Sequence, residues 1–127
     1  MKKIILFLLV ALTACSDSAQ AQTKIDAAQT EALLQQNKTI QLVDLRTPGE
    51  VEQTGKIERA KNINFNSSDF QMQIAQLDKN QPVIVYCAAG GRSGNAAPQL
   101  VKMGFKKVYD YSGGMNDWKK KGKKTVQ

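Results

Sequence analysis

The sequence predicts an α/β fold in which helices flank a central parallel sheet. Runs of β-forming residues alternate along the chain with stretches of helical periodicity, a pattern typical of parallel sheets. The apolar run 83–86 breaks directly into a glycine-bearing loop, and a helix-like stretch follows. The length of 127 residues suits one domain, and the chain has no internal repeat. Together these observations predict a single domain built from strand–loop–helix units.

The first half of the domain is predicted to hold two helices and two strands. Asp26, followed by Gln29, forms a capping pattern for a helix that reaches residue 36. Ala28, Ala32 and Leu33 can form one face of that helix. The apolar stretch 40–44 is predicted to be a strand. The segment Thr-Pro-Gly-Glu at 47–50 combines a capping box with a proline suited to a first helical turn. A short strand is expected at Ile63.

The second half is predicted to continue the same alternation. Ser68 or Asp69 would cap a helix in which Phe70, Ile74 and Leu77 share a face. Residues 83–86 form the buried strand, residues 93–103 a helix that Gly104 ends, and residues 107–109 the next strand. A last short helix carries Trp118, and we interpret Trp118 and Tyr111 as packing residues.

Cys87 is the candidate reactive residue, because it stands where the strand 83–86 meets the loop. A strand, tight loop and helix aim backbone N–H groups at the loop centre, and the helix N-terminus adds partial positive charge. These donors, with Arg92 as the local cation, should lower the pKa of the thiol. Gly90 and Gly91 can adopt positive φ and let the backbone approach an anion closely. The plainer alternative is an inert, buried cysteine.

Four segments resemble, in order, the motifs of rhodanese-type sulfurtransferases. Residues 83–93 resemble the active-site loop of that family, and residues 42–50 resemble its Asp-x-Arg-x-x-x-Glu segment. Residues 55–63 are similar to Gly-His-Ile-x-x-Ala-x-Asn-Ile, and residues 113–118 to the C-terminal Gly-Gly-x-x-x-Trp. The resemblance spans residues 25–121 and implies a three-layer domain around a five-stranded parallel sheet.

The resemblance also implies a thiosulfate sulfurtransferase-like enzyme that works through a persulfide on Cys87. A small anionic donor such as thiosulfate would give up its outer sulfur, and a thiol, sulfite or cyanide acceptor would collect it. Asp44 and Arg46 are expected to brace the loops rather than to take part in catalysis. The residues expected to bind the substrate and the persulfide are Ala88, Ala89, Gly90, Gly91, Arg92 and Ser93.

Three positions depart from the family pattern. Lys56 stands where the family usually has a histidine, in a position that is normally structural. Ala88 stands where many active members carry a cationic or polar side chain, which weakens the case for thiosulfate as the preferred donor. Pro98 lies within the helix after the loop, where it removes one backbone hydrogen bond and favours a local kink.

Other activities remain open but are less favoured. The four residues between Cys87 and Arg92 resemble the sulfur-transfer branch, whereas related cell-cycle phosphatases have five, so anion hydrolysis is disfavoured. A catalytically weak binding or redox-sensing module is the main alternative. The chain contains no histidine, which excludes Cys–His catalysis and histidine metal sites. We expect no cofactor and no metal.

The N-terminus predicts export to the bacterial envelope. Lys2 and Lys3 precede an apolar run that is too short to span a membrane, which is typical of a signal peptide. Residues 12–15 resemble a lipobox, so cleavage after residue 14 would leave a lipidated Cys15; cleavage after residue 21 is the alternative. We therefore expect a lipid-anchored protein of the bacterial envelope, periplasmic or on the outer face.

The predicted organisation is a signal peptide over 1–14, a polar tether over 15–24, the domain over 25–121 and a basic tail over 122–127. Cleavage before Cys15 removes two lysines and lowers the net charge of +7 by two. Five lysines lie between residues 119 and 124 and are expected to be solvated. We expect a monomer, and no nucleic-acid partner for an exported protein.

Overall fold

The computed structural model describes residues 21–127, and the predictions made for residues 1–20 lie outside this range. Five parallel strands form one sheet with helices on both faces, which confirms the predicted fold class. The strands are β1 (Gln22–Ile25), β2 (Gln41–Asp44), β3 (Lys61–Asn62), β4 (Val83–Tyr86) and β5 (Val108–Tyr111). The helices are α1 (Ala27–Gln36), α2 (Pro48–Thr54), α3 (Phe70–Ala75), α4 (Gly91–Lys102) and α5 (Gly114–Lys120).

The strand order β1-β5-β4-β2-β3 places β4 at the centre of the sheet. The parallel register sets Asp44, the last residue of β2, opposite Tyr86, the last residue of β4. The chain adds β3 outside β2 but adds β5 on the far side of β4, so the order reverses between β2 and β4. Ligands of open α/β sheets bind beyond the carboxyl ends of the strands at such a reversal. The loops that follow β2 and β4 therefore frame the expected site.

Two apolar cores cover the two faces of the sheet, because successive side chains of a strand point to opposite faces. In β4, Val83 and Val85 face one core and Ile84 and Tyr86 face the other. The first core packs α3 and α4 on the sheet through residues that include Phe70, Ile74, Ala96, Ala97 and Leu100. The second packs α1 and α5 through residues that include Ala27, Leu33, Met115 and Trp118.

Side-chain caps begin the first two helices as the sequence predicted. Asp26 and Gln29 form a complete capping box at α1, and Thr47 and Glu50 form another at α2. The predicted inner face of α1 is wrong in one respect, because Ala28 is exposed and the buried positions are Ala27 and Thr30. The capping geometry fixes which residue enters the first turn, and this sets the rotation of the helix.

The sheet begins three residues before residue 25, where the sequence predicted the domain to start. The sheet begins at Gln22, and β1 pairs along its length with β5. This strand has only one buried side chain, Ile25, so its sequence lacks an apolar pattern. Backbone hydrogen bonds hold an edge strand of this kind, and side-chain composition does not reveal them.

The C-terminal segment packs against the domain, mainly through its backbone, while four of the five lysines at 119–124 are exposed, as predicted. Val126 exchanges two backbone hydrogen bonds of 2.8 Å with Lys56. The Trp118 indole donates to the Lys124 carbonyl at 2.8 Å, and Lys123 pairs with Glu31 at 2.7 Å. Trp118 is 4 % exposed, so the predicted packing role is confirmed. No helix among residues 21–127 has the length and apolar content needed to cross a membrane.

Candidate active site

Cys87 lies directly after β4, at the carboxyl edge of the central strand. Its thiol is free, and the residue is 2 % exposed. Ala88, Ala89 and Gly90 form the loop that follows, while Gly91, Arg92 and Ser93 open α4. The sequence placed the helix start at Ser93, and the structure places it two residues earlier. The loop around the sulfur is therefore tighter than predicted.

Backbone and hydroxyl groups of the loop surround the Cys87 sulfur. The Gly90 N–H donates to Sγ at 3.2 Å, and the thiol lies 3.8 Å from the buried Ser93 hydroxyl. Burial acts to raise the pKa of the thiol, but the N–H groups of Ser93, Gly90 and Ala89, together with the Ser93 hydroxyl, outweigh it. The net pKa is below the ordinary value. The loop therefore increases the fraction of thiolate, which is the nucleophilic form.

Gly90 is required by the shape of the loop. Its φ is +96°, and a Cβ there would lie 2.4 Å from the carbonyl oxygen of Ser112. A side chain would therefore add left-handed strain and a backbone clash. Gly91 differs from the expectation, because its φ is not positive and a Cβ there would meet no atom within 4 Å. Of the two adjacent glycines, only Gly90 has the strained conformation.

The turn between β5 and α5 supports the loop from the other side. Met115 and Asn116 donate their N–H groups to the carbonyls of Cys87 and Ala88 at 2.8 and 3.0 Å. Gly114 allows this approach, because a Cβ there would lie 2.4 Å from the Cys87 carbonyl oxygen. The Gly-Gly-x-x-x-Trp pattern at residues 113–118 did not by itself predict this contact. The contact fixes the backbone on which the thiol sits.

Arg92 is held by Glu50, which the sequence placed in a helix cap and in the Asp-x-Arg-x-x-x-Glu segment, without predicting its contact with Arg92. The guanidinium donates to both carboxylate oxygens of Glu50 at 2.6 and 2.9 Å. This pairing is the main reason that the pKa of Glu50 falls to about 2. The Cys87 sulfur also contributes to the raised pKa of Arg92. Arg92 therefore faces both the thiolate and a carboxylate, and the carboxylate partly neutralises its charge.

Asp44 and Arg46 form a buried ion pair behind the loops, as the sequence predicted for a brace. Their side chains are 0 % and 2 % exposed, and the guanidinium binds the carboxylate at 2.8 Å. Arg46 also donates to the Gly55 carbonyl at 2.6 Å and to Thr54 Oγ1 at 2.7 Å. These bonds tie the end of β2 to the end of α2. Asn62 adds two hydrogen bonds to backbone carbonyls of the same segment.

Asp110 of β5 is a buried carboxyl that the sequence analysis did not single out. The residue is 0 % exposed, and neither side-chain oxygen has a hydrogen-bond partner. It lies under the start of α4, where a Cβ on Gly94 would be 4.0 Å from Oδ2. Burial raises the pKa of this carboxyl, and the Ser93 hydroxyl and the charge of Lys24 partly oppose the rise. A buried carboxyl with a raised pKa therefore lies close to Ser93.

Two further predictions concern metal and lipid sites. Among residues 21–127, no group of histidine, cysteine, aspartate and glutamate side chains could hold a metal ion. Cys15, the predicted lipidation site, lies outside the described residues.

Comparison with known proteins identifies relatives that cover most of the chain. A family model for the rhodanese-like domain matches residues 26–121. A sulfurtransferase of Allochromatium vinosum is 30% identical over 99 residues, which are 78% of this chain and 90% of that protein. The thiosulfate sulfurtransferase GlpE of Vibrio cholerae is 36% identical, over 74% of this chain and 85% of its own.

Solved structures agree on the fold. The polysulfide-sulfur transferase homodimer of Wolinella succinogenes has a TM-score of 0.72 at 29% identity, covering 87% of this chain and 81% of that one. A rhodanese-related protein of Thermoplasma volcanium has a TM-score of 0.71 at 28% identity, covering 82% of this chain and 97% of that one.

Proposed function

Because the chain belongs to the rhodanese-like domain family, we propose that it moves a sulfane sulfur from thiosulfate or a polysulfide to a thiol-type acceptor through a persulfide on Cys87. It is a thiosulfate sulfurtransferase-like enzyme. The observation that carries the proposed role of Cys87 is the hydrogen bond from the Gly90 N–H to its sulfur at 3.2 Å, within a loop that lowers the pKa of the thiol.

The first step forms the persulfide and needs no oxidant beyond the donor. The Cys87 thiolate attacks the outer sulfur of thiosulfate, a new S–S bond forms, and the S–S bond of the donor breaks. Both electrons of the broken bond leave with sulfite. The loop N–H groups that stabilise the thiolate would then stabilise the anionic terminal sulfur of the persulfide.

The second step returns the enzyme to its starting state. The thiolate of the acceptor attacks the outer sulfur of the Cys87 persulfide and forms a new S–S bond. The bond to Cys87 breaks, and its electrons restore the thiolate. The two steps are separated by a covalent intermediate, so ping-pong kinetics are expected.

The burial of Cys87 bears on which donors reach it. The residue is 2 % exposed, while Ala89 and Gly91 at the rim of the loop are exposed. A bulky reagent would need a larger movement of the loop to reach the sulfur than a small anion would. We expect thiosulfate to react faster than large disulfide reagents with the same protein.

Intact-mass measurement tests the proposed function. After treatment with thiosulfate or polysulfide, the protein should gain the mass of one sulfur atom and lose it again when cyanide is added. Cys87→Ser should gain nothing. Absence of an adduct from any donor would favour the alternative, a weak binding or redox-sensing module. Turnover of an aryl phosphate that Cys87→Ser abolishes would instead indicate anion hydrolysis.

We also propose that the protein acts in the bacterial envelope, anchored through a diacylated Cys15. The apolar run before the lipobox-like segment at residues 12–15 supports this proposal. In that arrangement residues 16–21 would connect the anchor to β1. Mass analysis of the native N-terminus distinguishes a lipidated Cys15 from cleavage after residue 21, and Cys15→Ser should release the protein from membranes in the first case alone.

A further inference from the structure

A cleft beside Ala88 opens next to the proposed sulfur carrier. Its volume is 210 Å³, well above the ~30 Å³ that one water occupies in the liquid. Ala88 contributes to its wall, while Gln53 and Thr54 of α2 and Asn116 and Lys119 of α5 provide polar groups. The small side chain at position 88 leaves this volume open. The cleft therefore has room for more than an inorganic anion.

Lys119 supplies the uncompensated charge of the cleft. Glu50 lines the cleft but is paired with Arg92, and Arg46 is paired with Asp44. Lys119 is exposed and forms no ion pair with any of residues 21–127. An incoming anionic group would thus meet one free ammonium group, in a protein whose loop carries no cation at position 88.

The position of Lys119 relative to Cys87 is fixed by the backbone. Met115 and Asn116 donate to the carbonyls of Cys87 and Ala88, so the first turn of α5 is attached to the loop. Lys119 follows Asn116 by three residues, and side chains at this spacing lie on the same side of a helix. The ammonium group and the amide of Asn116 therefore reach the same cleft.

We propose that this cleft binds the carbon skeleton of a small, carboxylate-bearing thiol of the peptide type, with Lys119 pairing to the carboxylate. The proposal rests on the proposed function, since the bound thiol is the acceptor of the Cys87 sulfur. An ammonium group suits a carboxylate, and the side-chain amides of Gln53 and Asn116 suit peptide groups. Thiosulfate lacks a carbon skeleton and needs only the loop around the sulfur.

The same cleft also fits the persulfide of such a thiol, because the two compounds share the carbon skeleton. As acceptor, the thiolate attacks the outer sulfur of the Cys87 persulfide, and the electrons of the broken bond return to Cys87. As donor, the organic persulfide transfers its outer sulfur to the Cys87 thiolate and leaves as a thiolate. Both directions are balanced without another reactant.

Kinetics of the full chain with two thiols test the assignment. Glutathione is the carboxylate-bearing probe and 2-mercaptoethanol the uncharged one, each with thiosulfate as donor. Lys119→Gln should raise KM for glutathione about threefold to fivefold, as expected for an exposed ion pair. The kcat of this variant, and its KM for 2-mercaptoethanol, should equal those of the natural chain. Lys120→Gln is the matched control, because it removes the same charge from the next residue, which is also exposed but lies outside the cleft.

Binding of S-methylglutathione, which cannot accept sulfur, separates this inference from the proposed function. Its Kd should rise in Lys119→Gln and stay unchanged in Lys120→Gln. Equal responses of the two variants, in binding and in KM, would overturn the inference even if the enzyme is active. If binding depends on Lys119 but the protein forms no persulfide, the cleft is a binding site for the peptide-type compound and the proposed sulfur-transfer function is wrong. Glutathione persulfide with cyanide as acceptor shows whether the cleft serves the donor step as well.

Discussion

The carboxylate of Glu50 binds both terminal nitrogens of Arg92 across 42 positions of the sequence, at 2.6 and 2.9 Å. This contact joins the first turn of α2 to the first turn of α4, beside the Cys87 loop. Two parallel N–H···O bonds fix the plane of the guanidinium as well as its position. Glu50 therefore weakens the electrostatic effect of the Arg92 charge on the Cys87 sulfur.

Opposite changes in the acidity of Cys87 are expected from the two partners. Arg92→Ala removes a cation near the sulfur, so the thiol pKa should rise and kcat/KM for thiosulfate should fall by roughly tenfold, or ~1.4 kcal/mol. Glu50→Gln keeps the capping box but frees the charge of Arg92, so the thiol pKa should fall. Thiolate absorbance against pH measures both. An unchanged thiol pKa in both variants would show that Arg92 and Glu50 do not act on Cys87.

The Glu50 ion pair should also stabilise the fold within a defined pH range. The pKa of Glu50 is about 2 in the folded protein, against 4.5 for the ordinary group, chiefly because of Arg92. A depressed pKa means that the stabilisation is complete above pH 4.5 and lost as the pH falls towards 2. Urea unfolding should show that Glu50→Gln is less stable than the natural chain at pH 7 and equal to it near pH 2. A constant difference would contradict this account.

Gly90 and Gly91 should respond differently to the same substitution. Gly90→Ala places a Cβ 2.4 Å from the Ser112 carbonyl oxygen at a φ of +96°, so we expect a loss of about 2 kcal/mol or more in the free energy of unfolding. Gly91→Ala meets no atom within 4 Å and should be neutral, or stabilising by about 0.5 kcal/mol. Equal losses, measured by urea unfolding, would show that the loop differs from the structure.

Gly114 should be needed for the position of the thiol and not only for backbone conformation. Gly114 and Gly122 have φ of +65° and +67°, but a Cβ on Gly114 meets the Cys87 carbonyl oxygen at 2.4 Å and one on Gly122 meets nothing within 4 Å. Gly122→Ala thus measures the backbone strain, ~1 kcal/mol. Gly114→Ala should lower the free energy of unfolding by more than Gly122→Ala does, and it should also slow alkylation of Cys87. An equal loss of unfolding free energy in both variants would show that Gly114 does not lie against the Cys87 carbonyl.

Asp110 should destabilise the protein at neutral pH. Burial raises its pKa above the ordinary 3.8, so ionising the carboxyl as the pH rises costs more in the folded chain than in the unfolded one. Asp110→Asn removes that ionisation and keeps the shape, so its melting temperature relative to the natural chain should increase from pH 4 to pH 7. An equal difference in melting temperature at pH 4 and pH 7 would mean that the pKa of the Asp110 carboxyl is not raised.

Local patterns were sufficient to predict several parts of the site. The strand, the loop and the helix after Cys87, the capping boxes at Asp26 and Thr47, and the bracing pair of Asp44 and Arg46 all depend on residues close in sequence. The edge strand β1 was missed because its side chains are mostly exposed, and backbone pairing with β5 creates it. The packing of Trp118 was predicted, but the attachment of the C-terminal segment was not.

The sequence by itself determined where the thiol stands and which short-range groups surround it, because a strand end, a loop and a helix start are properties of adjacent residues. Only the tertiary structure decided that Glu50 holds Arg92, that Gly114 lies against the Cys87 carbonyl, and that Lys119 lines the cleft beside Ala88. These relationships arise when parallel pairing brings the carboxyl ends of separate strands to one edge of the sheet. Residue spacing does not encode the distances between groups on different elements.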